Sequence, residues 1–536
     1  MDVAGHRPAA KGRRSPSRWL AGLIGHGLCF RTARRYQRSG RGVAEQEQVY
    51  RQLMRWLSGA AFGAEQGLSP ALGYEEFRTR IPLRTYEEFA PYLERMKHGE
   101  ADVLHPGRCA HFAVSSGTTA GPSKWLPVNG PLLAHFRQAG LDSLSLYALR
   151  SGGRTVFQGR QLFLGGSTAL QPLAGVAPPI MAGDLSGITS LHLPGWVERL
   201  LYEPGREIAQ MADWPAKLDA IARRIHGQDI RMIAGIPSWL LVLARHLREH
   251  AKRVEGQAPA TIQALFPRLE CLVHGGVPIG PFAEELREVY GAGIAFHEVY
   301  PASEGFIAAQ DADAGAGLRL LTGHGIFYEF LPLEDFTEGL LPAGRAVPLA
   351  GVRAGVDYVL LMTTPAGLVR YVIGDVVRFV STTPPRLIYV GRTKLQLSAF
   401  GEHVIEKELT DAVAVVCGRH GLQPVNFHVA PQFPEAAVGR ALGRHEWWLE
   451  ARSTGSIRPP SPRQLADELD QALVLQNDDY AAKRQGGGLA APEVHWVPPG
   501  CFEAGLRRIG QWGGQHKTPR CRSDRKFVET LRLPLS

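Results

Sequence analysis

Five stretches of this chain carry side chains able to handle a phosphate or a planar base. The densest is Val114-Ser-Ser-Gly-Thr-Thr-Ala-Gly-Pro-Ser-Lys124, a run of hydroxyls and glycines closed by a lysine. Backbone N–H groups freed by glycine, together with Ser and Thr hydroxyls, can wrap a triphosphate while the lysine neutralises it. The order is not that of a Walker A loop, and a solvated turn at a strand end has the same composition. Leu272-Val-His-Gly-Gly276 runs an apolar strand into a double glycine, where a ring or phosphate can approach the backbone and where a plain tight turn would read alike. His297-Glu-Val-Tyr-Pro-Ala-Ser-Glu304 leaves a strand with an aromatic ring, a hydroxyl and a carboxylate. Glu304 could hold a magnesium ion bridging phosphate oxygens, and Tyr300 could stack on a base; the plain alternative is an exposed acid after a core strand. Tyr371-Val-Ile-Gly-Asp375 puts an acid at a strand end, where it could accept both ribose hydroxyls, and Tyr389-Val-Gly-Arg392 offers a cation nearby.

Alternating helix and strand patterns surround these stretches. Val49, Leu53, Trp56 and Leu57 fall at helical spacing and predict a helix over 46–57. Thr85 followed by Glu88 is a capping-box signature, with Phe89, Tyr92 and Leu93 as the apolar face behind it. A long helical segment spans 131–149. Runs rich in β-branched and aromatic residues at 161–164, 230–234, 269–273, 294–299, 358–362, 369–373 and 387–390 read as strands, with helical patterns at 215–225, 238–250 and 281–290 between several of them. Such alternation predicts an α/β fold with helices on the sheet faces. Beyond Gly391 the pattern becomes a helix at 403–416, strands at 425–429 and 446–451, a helix at 462–475 and a strand at 493–497, enough for a small α+β unit. The expected division is a basic N-terminal arm (1–43), a large unit (44–395), a hinge (396–401, within the glycine-bounded stretch 391–401) and a small unit (402–536).

The chain has 536 residues, 44% hydrophobic and 21% charged, which fits a soluble globular protein and excludes wholesale disorder, collagen and coiled coil. Its formal charge of +9 resides entirely in the first 55 residues, with twelve Lys and Arg against three acids, and the remainder carries 48 of each sign. A neutral body argues against nucleic-acid binding over a broad face. The six cysteines form no CxxC pair, so neither a zinc site nor a disulfide framework is indicated, and a reducing cytoplasm is the expected compartment. The apolar stretch 19–30 follows arginines, is interrupted by His26 and is too short to span a bilayer; it reads as a surface helix after a frayed arm.

In order and spacing these pieces resemble the adenylate-forming superfamily and, within it, the Gretchen Hagen 3 family of auxin-responsive acyl acid–amido synthetases. The resemblance runs from about 45 to 522. It is carried by Phe77-Arg-Thr-Arg-Ile-Pro-Leu-Arg-Thr-Tyr-Glu-Glu-Phe89, by Ser115-Ser-Gly-Thr-Thr-Ala-Gly121 with Lys124 and Pro127, by Tyr300-Pro-Ala-Ser-Glu304, by Tyr371-Val-Ile-Gly-Asp375 and by Gln515-His-Lys-Thr-Pro-Arg520. The high Ala, Gly and Arg content resembles a bacterial member more than a plant one.

The resemblance implies a large firefly luciferase-like domain and a smaller mobile α+β domain. It implies ATP and Mg2+, a small carboxylic acid and an amino acid as substrates, and release of AMP and pyrophosphate. On the same ground the nucleotide would be held by Ser115, Ser116, Thr118, Gly275, Gly276, Tyr300, Ser303, Glu304, Asp375 and Arg392. Glu304 would serve the metal, and Glu304, Lys124 and Lys517 the chemistry, Lys517 entering the cleft as the small domain moves. Where plant members carry an arginine, this chain has Val372, with Arg370 and Arg378 close by in sequence. Two alternatives stand beside this reading: an adenylating ligase that passes the acyl group to coenzyme A, and a silent homologue that binds nucleotide or acyl acid. Isolated histidines such as His111, His297 and His428 are read as structural, Trp447-Trp448 as core and sheet face, and the basic stretch 506–526 as either a solvated tail or a phosphate contact.

Overall fold

A computed structural model describes residues 16–533 apart from 38–39, 116–123, 153–154, 166–168, 212, 277–278, 338–340, 394–395, 398–401, 403, 433–442, 454–458, 478–479, 482–483, 485–488, 512–517 and 523. The N-terminal helices are α1 (Pro16–Tyr36), α2 (Arg41–Leu57), α3 (Ala61–Glu65), α4 (Tyr74–Arg80) and α5 (Tyr86–Lys97); α6 (Gly130–Arg150) follows the first hairpin. At the start of α5 the Glu88 carboxylate accepts the Thr85 N–H at 2.8 Å, as the Thr85–Glu88 spacing predicts.

The hairpin is β1 (His111–Ser115) and β2 (Lys124–Val128). With β4 (Gln171–Pro172) and β5 (Met181–Gly183) it forms a four-stranded sheet in the order β2-β1-β5-β4. The main sheet collects β3 (Arg160–Phe163), β6 (Tyr202–Glu203), β7 (Ile230–Ala234), β8 (Cys271–His274), β9 (Ala295–Ala302), β10 (Gly305–Ala309), β11 (Leu318–Leu320), β12 (Phe327–Pro332), β13 (Val347–Pro348), β14 (Asp357–Thr363), β15 (Tyr371–Thr382) and β16 (Pro385–Arg392). Its order is β13-β12-β14-β15-β16-β11-β10-β9-β8-β7-β3-β6. From β6 to β9 the pairs are parallel, and the helices Trp214–Ile225, Pro237–Glu255 and Ala283–Tyr290 lie on the crossovers, as parallel pairing requires. From β9 to β16 the pairs are antiparallel.

Central strands are buried on both faces, which is why β7 and β14 are near-continuous apolar runs instead of alternating ones. Two large apolar clusters result: one joins α2, α4, α5 and the antiparallel strands, the other packs the crossover helices on the parallel strands. The strand expected at 369–373 begins only at Tyr371, because Arg370 takes a φ of +49°, and it continues to Thr382.

A second unit has its own core. β17 (Gln396–Leu397) pairs with β18 (Val404–Ile405), and β19 (Leu422–Gln432), β20 (Arg444–Ser453) and β21 (Glu493–Trp496) form a three-stranded sheet. Trp447 is buried with the helices Glu406–Arg419 and Pro462–Val474. Its neighbour Trp448 faces the helices Cys501–Arg508 and Lys526–Leu531 on the other side, as strand alternation dictates. Leu397 already belongs to this second core. The two units meet where Arg452 bonds Glu285 at 2.6 Å and Gln423 bonds Glu284 at 3.4 Å.

α1 is pinned to α6 through Asp142, whose carboxylate is fully buried and takes Arg31 at 3.1 Å, Thr32 at 3.2 Å and Arg35 at 3.5 Å. Residues 1–15 of the basic arm lie outside the described residues. Among the described residues no helix is long and apolar enough to cross a membrane, and all six cysteines are buried and outside any disulfide.

Candidate active site

β1 and β2 are in register at Ser115 and Lys124, so the hydroxyl-rich loop leaves and returns at one point. Its members Ser116 and Thr118 lie outside the described residues, as does the side chain of Ser115. Lys124 is oriented by two tyrosines. Its ammonium donates to the Tyr371 hydroxyl at 3.1 Å and sits 5.7 Å from the ring centres of both Tyr86 and Tyr371, a cation–π arrangement. The Tyr86 hydroxyl also accepts the Trp125 N–H at 2.8 Å, fixing the start of β2.

Tyr371 connects this cation to an acid, since the nearby Glu304 carboxylate, after burial, helps to hold its hydroxyl well above the usual phenol range. Ser303 and Glu304 make the two-residue turn between β9 and β10. Glu304 is only 8% exposed; burial raises its pKa, and the nearby Lys124 and Arg392 pull it back down. A second acid stands close by. Asp375, 3% exposed, accepts the Tyr300 hydroxyl on one oxygen at 2.5 Å and Arg392 Nε on the other at 2.7 Å. Asp375 and Arg392 are direct cross-strand partners on β15 and β16, which sets that ion pair. Asp375 pulls the Arg392 pKa upward, and burial with Asp375 drives Tyr300 well above the phenol range. Tyr300 turns an edge to Tyr389 at 5.8 Å, so its ring is held by protein on that side.

Gly275 and Gly276 follow β8. A Cβ on Gly275 would lie 2.4 Å from the Val299 carbonyl oxygen, so only glycine lets this loop close against β9 beside Tyr300; Gly276 has a φ of +79°.

Lys124, Tyr300, Glu304, Asp375 and Arg392, quoted from four distant stretches, thus form one connected polar cluster. Lys517 lies outside the described residues. Beyond it, Thr518 and Arg520 both bond Asn426, at 2.8 and 2.5 Å, along the edge of β19. A cavity of about 730 Å3 between the two units is lined by Trp239, Val242, Phe282, Val425, Phe502 and Arg520 and shares no residue with the polar cluster.

Sequence reasoning gave no role to three residues that shape the cluster. Tyr371 and Tyr86 stood inside quoted motifs, and that was their signal. Arg370 had none beyond its position. Its guanidinium is fully buried and bonds both oxygens of Glu329, at 2.8 and 2.9 Å, together with the carbonyls of Arg78, Ile81 and Ala343. It therefore ties the segment after α4 to β15, where Arg84 and Tyr371 form a parallel bridge. Val372 points to the opposite face, among Leu83, Leu331, Val359 and Leu361, away from the acids.

Sheet order, second unit and polar cluster define the class: an adenylate-forming fold. The chain superposes on the acyl acid amido synthetase AtGH3.15 in complex with 2,4-DB with a TM-score of 0.73, at 19% identity, over 98% of this chain and 97% of that one. On 2-hydroxyisobutyryl-CoA ligase in its postadenylation state the TM-score is 0.55, at 15% identity, over 98% and 95%. Residues 37–293 match the GH3 family N-terminal domain, 319–392 the GH3 family central domain and 407–526 the GH3 family C-terminal domain. The chain belongs to the GH3 family. Among its relatives, indole-3-acetic acid-amido synthetase GH3.8 of Oryza sativa subsp. indica is 25% identical over 91% of this chain and 89% of its own length. Jasmonoyl–L-amino acid synthetase JAR6 of Nicotiana attenuata is 23% identical over 89% and 90%.

Proposed function

We propose that this chain is an ATP-dependent acyl acid–amido synthetase. It activates a small carboxylic acid by attack on the α-phosphate of ATP, with release of pyrophosphate, and passes the acyl group to the amine of an amino acid, with release of AMP. The observation that carries the reading is the convergence of Lys124, Tyr371, Glu304, Tyr300, Asp375 and Arg392 beside the ends of a hydroxyl-rich loop.

In this reading the loop with Ser115, Ser116 and Thr118 cradles phosphates and Lys124 neutralises them. Gly275, Gly276 and Ser303 border the nucleotide. Asp375 accepts ribose hydroxyls on the lone pairs that Tyr300 and Arg392 leave open, since a carboxylate has about four such sites. Lys517 reaches the cleft when the small unit, 402–536, turns against the large one, 44–395, about 391–401. No acid–base or nucleophilic group is asked to form a covalent bond; orientation and charge stabilisation supply the rate.

Magnesium fits the residues present. No cage of three or more His, Cys, Asp or Glu exists among the described residues, and an ion carried in on ATP phosphates needs only one or two carboxylates. Glu304, buried with Lys124 and Arg392 as its countercharges, would hold it. When bound, the ion offsets phosphate charge. Six buried cysteines outside any disulfide support a reducing, cytoplasmic setting.

The test is product mass. Protein given ATP, magnesium and an acid that supports turnover is supplied with either mixed amino acids or coenzyme A. An N-acyl amino acid is the expected product; a thioester alone would move the assignment to an acyl-coenzyme A ligase.

A further inference from the structure

The Glu304 turn is held from behind by a residue of α6. In the β9–β10 hairpin the registered pairing of β10 with β11 begins at Ala308, and the Phe306 N–H goes instead to His135 Nε2 at 2.8 Å. His135 Nδ1 bonds the His324 carbonyl at 2.8 Å. A carbonyl only accepts and an amide N–H only donates, so both ring nitrogens are committed: Nδ1 carries the proton and Nε2 the lone pair. His135 is 2% exposed, and burial with its neighbour His324 lowers its pKa to about 3, which keeps that lone pair available at ordinary pH. Fit is close on the other side as well. A Cβ on Gly305 would stand 2.2 Å from Ile326 Cδ1 and 3.3 Å from His135 Nε2, so glycine there lets the hairpin seat against the imidazole.

His135 is itself anchored. The loop between β11 and β12 that receives its Nδ1–H is clamped from three helices. Arg35 of α1 donates to the Gly323 carbonyl at 2.7 Å, and Gln46 of α2 donates to the Thr322 and Ile326 carbonyls at 2.6 and 2.9 Å. From α6, Asp142 meets His324 Nε2 at 3.0 Å while also taking Arg31 and Arg35 of α1. A continuous set of buried hydrogen bonds therefore runs from α1 through Asp142 and His324 to His135 and the residue two positions past Glu304.

We propose that His135 is a positioning residue for the adenylation half-reaction, holding the Glu304 turn by its Nε2 acceptor and held in turn by the clamp that α1, α2 and α6 place on the loop before β12. This rests on the function proposed above. Loss of the acceptor leaves the Phe306 N–H buried without a partner and frees the turn, whereas loss of the donor leaves only a carbonyl less well satisfied.

Two substitutions separate these roles. The amide oxygen of glutamine reaches the Nε2 position and can accept there, whereas the amide nitrogen of asparagine reaches only the Nδ1 position and can donate to the His324 carbonyl. His135→Gln and His135→Asn would be compared with wild type by ATP–pyrophosphate exchange with indole-3-acetate, benzoate and hexanoate as acids, by amide hydrogen exchange of a peptide containing Phe306, and by thermal unfolding. The expected result is a folded Asn variant whose maximal exchange rate falls about 10- to 100-fold with little change in ATP KM. Its Phe306 peptide would exchange faster, and the Gln variant would recover both. An Asn variant with wild-type rates, or equal damage in Asn and Gln, overturns the proposal while leaving the function intact. A wild-type protein silent with every acid overturns the function and this proposal with it.

Discussion

Tyr300 and Asp375, 75 residues apart in the chain, share a 2.5 Å hydrogen bond inside the antiparallel half of the main sheet. Both are buried, and Arg392 closes the other side of the carboxylate at 2.7 Å. The arrangement leaves Asp375 oriented before any ligand arrives, with lone pairs to spare for hydroxyl groups. Preorganisation of this kind lowers the cost of binding.

Tyr300→Phe keeps the ring and removes one charge-assisted bond, worth about 1.5 kcal/mol or more. ATP affinity measured by titration calorimetry should fall about ten-fold, with a modest loss of thermal stability. Unaltered affinity would mean that the hydroxyl does not orient Asp375.

Arg370→Lys cannot reproduce the two-pronged bond to Glu329 and the three carbonyl contacts of the guanidinium. Breaking a buried pair in this way costs about 3–5 kcal/mol, to be read as a lower urea midpoint. A midpoint equal to that of wild type would show that the bonds between α4 and β15 are dispensable.

Val372→Arg introduces the arginine that the family resemblance leads one to expect at this position, yet here it drives a guanidinium into the cluster of Leu83, Leu331, Val359 and Leu361. Several kcal/mol of stability should be lost with no gain in ATP–pyrophosphate exchange. A more active or equally stable variant would contradict the side-chain direction assigned to this position.

Acid sensitivity follows from buried imidazoles. Burial lowers His135 and His297 to about 3 and His274 and His428 to about 4. Each is neutral when folded and takes up a proton near pH 6.5 when unfolded, so stability is complete well above pH 6.5 and is lost as pH falls from there toward about 4 for His274 and His428 and about 3 for His135 and His297. At one pH unit below 6.5 each costs about 1.4 kcal/mol. His297 bonds Ser143 at 3.0 Å and faces His274 and Arg150. His297→Gln keeps a partner for Ser143 and should lose about 1.2 kcal/mol less than wild type between pH 7 and 5.5. Parallel losses in chemical denaturation would refute it.

Much of the α/β framework was legible because its signals are local. The stripe of Val49, Leu53 and Leu57, the Thr85–Glu88 cap and the apolar run at Ile230–Ala234 each fall within a few residues, and each lies in the element expected. Strands β10 and β12 were missed for a physical reason: Gly305–Ala309 is short and sets only Phe306 and Ile307 among small residues, and Phe327–Pro332 is buried on almost every residue and so shows no alternation. The site shows the same contrast. Glu304 and Asp375 stood in motifs, whereas His135, Arg370 and Gln46 act through partners 171, 41 and 276 residues away in sequence, which one chain read alone does not connect.

In the proposed function, Lys124, Glu304, Tyr300 and Asp375 assemble one nucleotide pocket. Acid-dependent exchange of labelled pyrophosphate into ATP tests it most directly, measured for wild type, Glu304→Ala and Asp375→Ala over a panel of aryl and alkyl acids. The account predicts exchange by wild type with at least one acid and a loss of about 100-fold or more in each variant, in proteins shown to be folded. Exchange that survives both substitutions, or none from folded wild type with any acid, would contradict it.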